Sequence, residues 1–167
     1  GVVAFEQEAF AEAEEYFAAA VELAEELGTV DLRFARSLDD LAAFYRLVER
    51  HADSVVLFER VLAIQALELG LDHSLIGETL NNLAESYRMQ QMFDLAEPFY
   101  LRALGNIQVS LGPELPTVGI ILNNLALLYQ AQNDHARALP MYLQSLAIME
   151  QVLDSEDPTG VPTLVYL

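Results

Sequence analysis

A 42-residue internal repeat constrains the fold of this chain more than any other feature of its sequence. The segment SLDDLAAFYR at residues 37–46 recurs as TLNNLAESYR at 79–88 and as ILNNLALLYQ at 121–130. The dipeptide Leu-Gly follows the same period, at residues 27–28, 69–70 and 111–112. Self-similarity at a fixed spacing of this size is typical of arrays in which each unit packs only against its neighbours.

Each repeat unit contains two helical patterns, which we name helix A and helix B. Helix A has an apolar stripe at spacing i, i+3, i+4 and i+7, formed by Leu80, Leu83, Ala84 and Tyr87. Helix B has a second stripe, formed by Ala96, Phe99, Tyr100, Ala103, Leu104 and Ile107. The repeating glycine is expected to cap the end of helix B in a left-handed conformation. Pro116 is expected in the first turn of helix A, and Pro98 and Pro140 near the start of helix B.

These patterns divide the chain into alternating helices with no strand and no linker. The predicted elements are the tail of a helix A at 1–8, B at 10–27, A at 31–49, B at 52–69, A at 73–90, B at 94–111, A at 115–132, B at 135–153 and the start of a helix A at 158–167. A single hairpin cannot bury its apolar face, but stacked hairpins can. The predicted fold is all-α: a right-handed superhelical array of antiparallel helix hairpins. We expect it to form one domain over residues 1–167, cut within helix A at both ends.

The charge of the chain limits its partners. There are 26 acidic and 8 basic residues, giving a formal net charge of −18. Such a surface repels phosphate backbones and anionic membranes, so neither nucleic acid nor a membrane is an expected partner. The acidity has two interpretations, namely solubility in an acidic proteome or electrostatic steering of a basic partner. The N-terminus lacks the basic start and long apolar run of a signal peptide, so we expect a cytoplasmic protein.

The repeat resembles the tetratricopeptide repeat (TPR) in the spacing of its small and large apolar residues. The usual period of that family is shorter. The longer period, the LNNLA segment of helix A and AEPFYLRAL at 96–104 resemble the kinesin-light-chain subgroup. The resemblance covers essentially the whole chain. It implies that helix A lines the concave surface of a TPR-like α-solenoid, and that this surface holds an extended peptide gripped by asparagine side chains.

The candidate binding residues lie on the side of helix A opposite its apolar stripe. Asn82 and Asn124 recur there one period apart, and an amide can both donate to and accept from a peptide unit. The predicted peptide-binding set is Asn81, Asn82, Asn123, Asn124, Asp40, Arg36, Glu78, Glu85, Arg88, Met89 and Leu127. Two alternatives remain open: the asparagines are solvated or bond to the neighbouring helix, and the arginines pair with local acids. Asp39 and Asp40 replace the asparagines in the first copy, so the amide grip is in question there.

No catalytic, metal or cofactor site is predicted. Cysteine is absent, and the three histidines do not stand at ligand spacing. The expected function is a protein–protein interaction scaffold rather than an enzyme. The alternative is a regulatory or self-assembling repeat segment of a larger signalling protein, and apolar surface at both ends of the array would allow end-to-end self-association.

Overall fold

Every secondary-structure element in the described part of the chain is an α-helix. A computed structural model describes residues 2–26 and 31–156. The helices are α1 (Val2–Glu26), α2 (Leu32–Leu47), α3 (His51–Leu69), α4 (Ser74–Met89), α5 (Phe93–Ser110), α6 (Pro116–Ala131) and α7 (His135–Glu156). Helices α2, α4 and α6 are the predicted A helices, and α3, α5 and α7 are the B helices. Their bounds agree with the predicted ones to within one to three residues, which confirms the all-α array of hairpins.

The N-terminal region differs from the prediction. Instead of a helix ending at residue 8 and another beginning at residue 10, one helix runs from Val2 to Glu26. The sequence from Val2 to Glu26 is rich in alanine and glutamate, which favour a helix, and it contains neither glycine nor proline. Nothing in it therefore interrupts the helix. The predicted start of a helix A at 158–167 lies outside the described residues.

Two kinds of turn alternate along the stack. From helix B to helix A the chain passes through Gly70 and Gly112, whose φ angles are +80° and +110°, as the repeating glycine predicts. From helix A to helix B it passes through a non-glycine residue with φ near +60°. These residues are Glu49, Gln91 and Asn133, and they too lie 42 residues apart. The sequence did not reveal them, because a left-handed residue other than glycine is uncommon.

The N-termini of the helices differ in their capping residues and in the position of proline. The Asp31 carboxylate accepts hydrogen bonds from the backbone N–H groups of Arg33 and Phe34 at 2.9 and 3.2 Å, which caps α2. Pro116 is in the first turn of α6, as predicted. Pro98 and Pro140 are the sixth residues of α5 and α7, beyond the turn in which a missing N–H costs nothing. Both are exposed, so water can reach the carbonyl group that each leaves without a donor.

The core runs along the stack between successive hairpins. Its buried side chains come from the predicted stripes, including Leu80, Ala84, Tyr100, Ala103, Ile107 and Leu125. A smaller cluster joins Ala42, Phe58 and Leu83, which come from three consecutive helices. Every hairpin therefore shares buried residues with its neighbours, and the packing orients the opposite sides of the A helices away from the core.

Helix α4 packs tightly against α5 at Gly77. A β-carbon there would lie 2.7 Å from both Asn106 Oδ1 and Ile107 Cγ1, and Ile107 is fully buried. Gly105 also lies inside a helix, but a β-carbon at that position would meet nothing within 4 Å. We expect Gly77→Ala to be about 1–3 kcal/mol less stable than Gly105→Ala, since both gain helix propensity but only the first overpacks the core. Urea denaturation of the two variants measures the difference, and equal stabilities would contradict the close approach.

Candidate functional site

The A helices form the inner side of the stack. Within the described residues the backbones of α2 and α4, and those of α4 and α6, come close together, whereas the backbones of the B helices α3, α5 and α7 stay farther apart from one another. Helices that are closer together on one side of a stack make it curve towards that side. The surface of α2, α4 and α6 that faces away from the core is therefore the concave surface.

Four predicted binding residues line one depression between α2 and α4. It has a volume of about 420 Å³. The predicted residues in its wall are Arg36, Asp40, Glu78 and Asn82. The remaining wall residues are Leu32, Ala35, Asp39, Gln65, Leu75 and Thr79. We name this depression the α2–α4 pocket.

A second depression of about 370 Å³ lies at the other end of the same two helices. It contains two predicted residues, Glu85 and Met89, together with Ala43, Arg46, Leu47, Glu49 and His51. Leu47 and Met89 are exposed, at 72% and 45% of their surface. The concave surface thus presents a polar pocket and a more apolar one along the α2–α4 edge.

Two of the predicted asparagines form a hydrogen bond between neighbouring A helices. Asn124 Nδ2 of α6 donates a hydrogen bond to Asn81 Oδ1 of α4 at 3.0 Å. One use of the Asn124 amide is therefore to join neighbouring A helices, which is one of the alternatives raised above. Asn82 is half-buried and lines the α2–α4 pocket. Asn123 and Leu127 of α6 are half-buried and belong to neither depression.

Glu85 and Arg88 form a local ion pair rather than a free binding group. The Arg88 guanidinium donates two hydrogen bonds to the Glu85 carboxylate at 2.8 and 2.6 Å. The hydroxyl of the buried Tyr100 also donates to Glu85. Burial alone would raise the pKa of Glu85, but the hydrogen bonds from Arg88 and Tyr100 outweigh it and hold that pKa below its usual range. The carboxylate is therefore ionised and has its acceptors engaged inside the protein.

Two polar residues of the α2–α4 pocket were missed as site residues by sequence reasoning. Asp39 is largely buried, and burial together with the charges of Asp40 and Glu78 raises the pKa of its carboxyl group. Gln65 is 7% exposed, and its Oε1 atom has no hydrogen-bond partner among the residues that the structure describes. The signal for both was present in the repeat. One and two periods on, Asp39 is replaced by asparagine, and Gln65 by Ile107 and Met149.

The chain belongs to the tetratricopeptide repeat family. The family model matches residues 33–107 and 75–151, which together cover most of the sequence. Repeats of this family generally mediate protein–protein interaction. No curated protein matches the sequence. In the described ranges no helix is long and apolar enough to cross a membrane.

Three solved structures share the fold of this helical stack. The structure of BtubC (BKLC) from P. vanneervenii is 26% identical, with a TM-score of 0.78 over 93% of this chain. A Podosopora anserina protein with nearly identical TPR-like repeats is 24% identical, with a TM-score of 0.70 over 86% of this chain and 68% of that chain. A single-residue variant of it has a TM-score of 0.73 at 23% identity, over the same shares of the two chains. The chain spans 60% of the length of BtubC.

Proposed function

We propose that the concave surface binds an extended peptide segment of a partner protein. The observation that carries this proposal is the pair of depressions along α2 and α4, which contains five predicted binding residues besides the ion-paired Glu85. The half-buried Asn82 in the polar pocket can offer both a donor and an acceptor to a peptide unit. The family to which the chain belongs generally acts through protein–protein interaction.

A peptide selection tests the proposal and does not require the partner to be identified. A library of random linear peptides is selected against the immobilised chain, and enriched peptides are titrated by fluorescence anisotropy. Asn82→Ala should weaken binding about five- to thirtyfold, which corresponds to roughly 1–2 kcal/mol for one lost hydrogen bond. Its free energy of unfolding should change by less than about 0.5 kcal/mol, because no core contact is removed.

The matched control is Gln108→Ala. Gln108 is an exposed amide on the B helix α5, away from the concave surface. Its removal should leave peptide affinity unchanged. Peptides that respond to Gln108→Ala and not to Asn82→Ala would assign binding to the outer helices. A selection that enriches no peptide would overturn the proposal.

Self-assembly is a second candidate function, and the outer row of α7 favours it. Leu139, Leu143 and Leu146 are exposed at 60%, 57% and 48% of their surface. One period earlier, the counterpart of Leu146 is Leu104, which packs against the core. A second copy, or a neighbouring domain of a larger signalling protein, would cover such a row. The cytoplasmic location expected from the sequence remains a prediction.

A further inference from the structure

The α2–α4 pocket differs from the rest of the concave surface in its charge. Three carboxylates line it, from Asp39, Asp40 and Glu78, against the single guanidinium of Arg36. Arg36 is exposed, so solvent weakens its attraction for these carboxylates. Burial and the two neighbouring carboxylates raise the pKa of Asp39 against the opposing effect of Arg36 and Arg46. With three carboxylates and one guanidinium among its described wall residues, the pocket carries an excess of negative charge.

An unpaired acceptor in the same pocket is an independent sign of a missing donor. Gln65 is more than nine-tenths buried, and its Oε1 atom lacks a hydrogen-bond partner within residues 2–26 and 31–156. Buried polar atoms are nearly always paired, because an unpaired one has lost water without gaining a replacement. A ligand that carries N–H donors into the pocket would supply this partner.

The repeat shows that these polar residues are not required by the fold. At the position of Gln65 the later hairpins have Ile107 and Met149, and at the positions of Asp39 and Asp40 they have asparagine. Ile107 is fully buried, so an apolar residue suits this place in the hairpin. Three departures from the repeat therefore lie in one pocket, where an acidic and acceptor-rich lining replaces a neutral one.

We infer that the α2–α4 pocket holds the cationic end of an arginine or lysine side chain of the bound peptide. Arginine fits best, because its guanidinium presents five N–H donors and can pair with more than one acceptor of the pocket lining. The inference rests on the proposed peptide binding and specifies which side chain of the peptide the groove recognises. It also gives the acidity of this chain a local role.

The test is a repeat-swap variant, Asp39→Asn/Asp40→Asn/Gln65→Ile. It gives the pocket the residues that the next hairpin already has at these positions, so the fold has a precedent for each of them. Peptides selected on the wild-type chain should share one position that is arginine or lysine. They should bind the swap variant about tenfold more weakly or worse. Replacing the basic residue of the peptide by norleucine should produce the same loss, and the two changes together should add little.

A charge-matched control separates the pocket from the total charge of the chain. Glu12→Gln/Glu114→Gln also removes two carboxylates, both exposed and outside the pocket. It should change affinity by less than about twofold at physiological salt, because exposed charges are screened over about 8 Å. Circular dichroism confirms that each variant is folded. If the swap variant unfolds, Asp40→Asn alone, at an exposed position, serves in its place.

The outcomes distinguish the inference from the function on which it rests. Enriched peptides that depend on Asn82 but share no basic position, or that bind the swap variant as tightly as the wild type, would overturn the cationic pocket and leave the groove intact. Equal weakening by the swap variant and by the charge-matched control would show that only the overall charge matters, which also overturns it. A selection without enriched peptides would overturn both.

Discussion

Leu125→Ala is expected to lower the free energy of unfolding by about 2–5 kcal/mol. Leu125 is fully buried on α6 and belongs to the core cluster that joins α4, α5, α6 and α7. Its truncation removes apolar contacts and leaves a cavity that rigid helices on both sides can close only in part. Leu83→Ala should behave similarly, because Leu83 is 1% exposed and packs with Ala42 and Phe58.

The control is Leu143→Ala, which makes the same chemical change on the exposed side of α7. Leu143 is 57% exposed, so its replacement should change stability by less than about 0.5 kcal/mol. Urea denaturation followed by circular dichroism measures both variants. Because each hairpin contacts only its neighbours, Leu125→Ala should also lower the denaturant dependence of unfolding as the two halves of the array begin to unfold separately. A Leu125→Ala variant as stable as Leu143→Ala would contradict the assigned core.

The helix boundaries were predictable because the same sequence signals mark them in several copies of the repeat. The glycine turns are an example: Gly70 and Gly112 recur after helix B, and both have the positive φ that glycine tolerates. The first helix was not predictable in this way. The first unit has no turn near residue 9, where the repeat predicts one. Only the helix propensity of the local sequence indicates that α1 continues from Val2 to Glu26.

Side-chain pairs are the part that periodicity does not predict. In one hairpin Arg50 donates to Asp53 at 2.7 Å; two periods on, the same two positions have exchanged charge, and Arg137 donates to Asp134 at 2.6 Å. The intervening hairpin has Met92 and Leu95 at these positions, both 45% exposed. The pairing is kept where both charges are present, whichever position carries which. A search for identical residues one period apart cannot detect such an exchange.

Reliance on residues that recur one period apart also explains which residues of the candidate site were not predicted. Asn82 and Asn124 are equivalent in sequence, which favours them as a pair. In the structure, however, the Asn124 amide donates to Asn81 of the neighbouring helix, whereas Asn82 lines the α2–α4 pocket. Asp39 and Gln65 were overlooked because they depart from the repeat. Only the packing of α2, α3 and α4 shows that both departures line one pocket.

The second large effect on stability is expected when the side chain of Glu85 is removed. Its side chain and that of Arg88 are only 16% and 19% exposed, and Glu85 also accepts from the buried Tyr100. Glu85→Ala would leave a guanidinium and a phenol hydroxyl without their acceptor in a largely buried place. We expect Glu85→Ala to lower the free energy of unfolding by about 3 kcal/mol. This is the lower end of the range for breaking a buried ion pair, because some solvent reaches the pair. Glu78→Ala on the same helix is the control, since Glu78 is exposed and should cost less than about 0.5 kcal/mol.

The pH dependence of stability separates the charge of Glu85 from its packing. Because the folded protein holds the pKa of Glu85 below its usual range, the unfolded chain binds the proton first as pH falls. The stabilisation is therefore complete above the ordinary glutamate pKa and is lost as pH falls through the lower, folded value. Glu85→Gln keeps the shape of the side chain but cannot titrate. The difference in unfolding free energy between wild type and Glu85→Gln should be largest near pH 7 and shrink as pH falls through and then below the ordinary glutamate range. Urea denaturation at a series of pH values measures it. A difference that stays constant across this range would mean that the carboxylate contributes shape and hydrogen bonds alone, and that its ion pair with Arg88 adds nothing to stability.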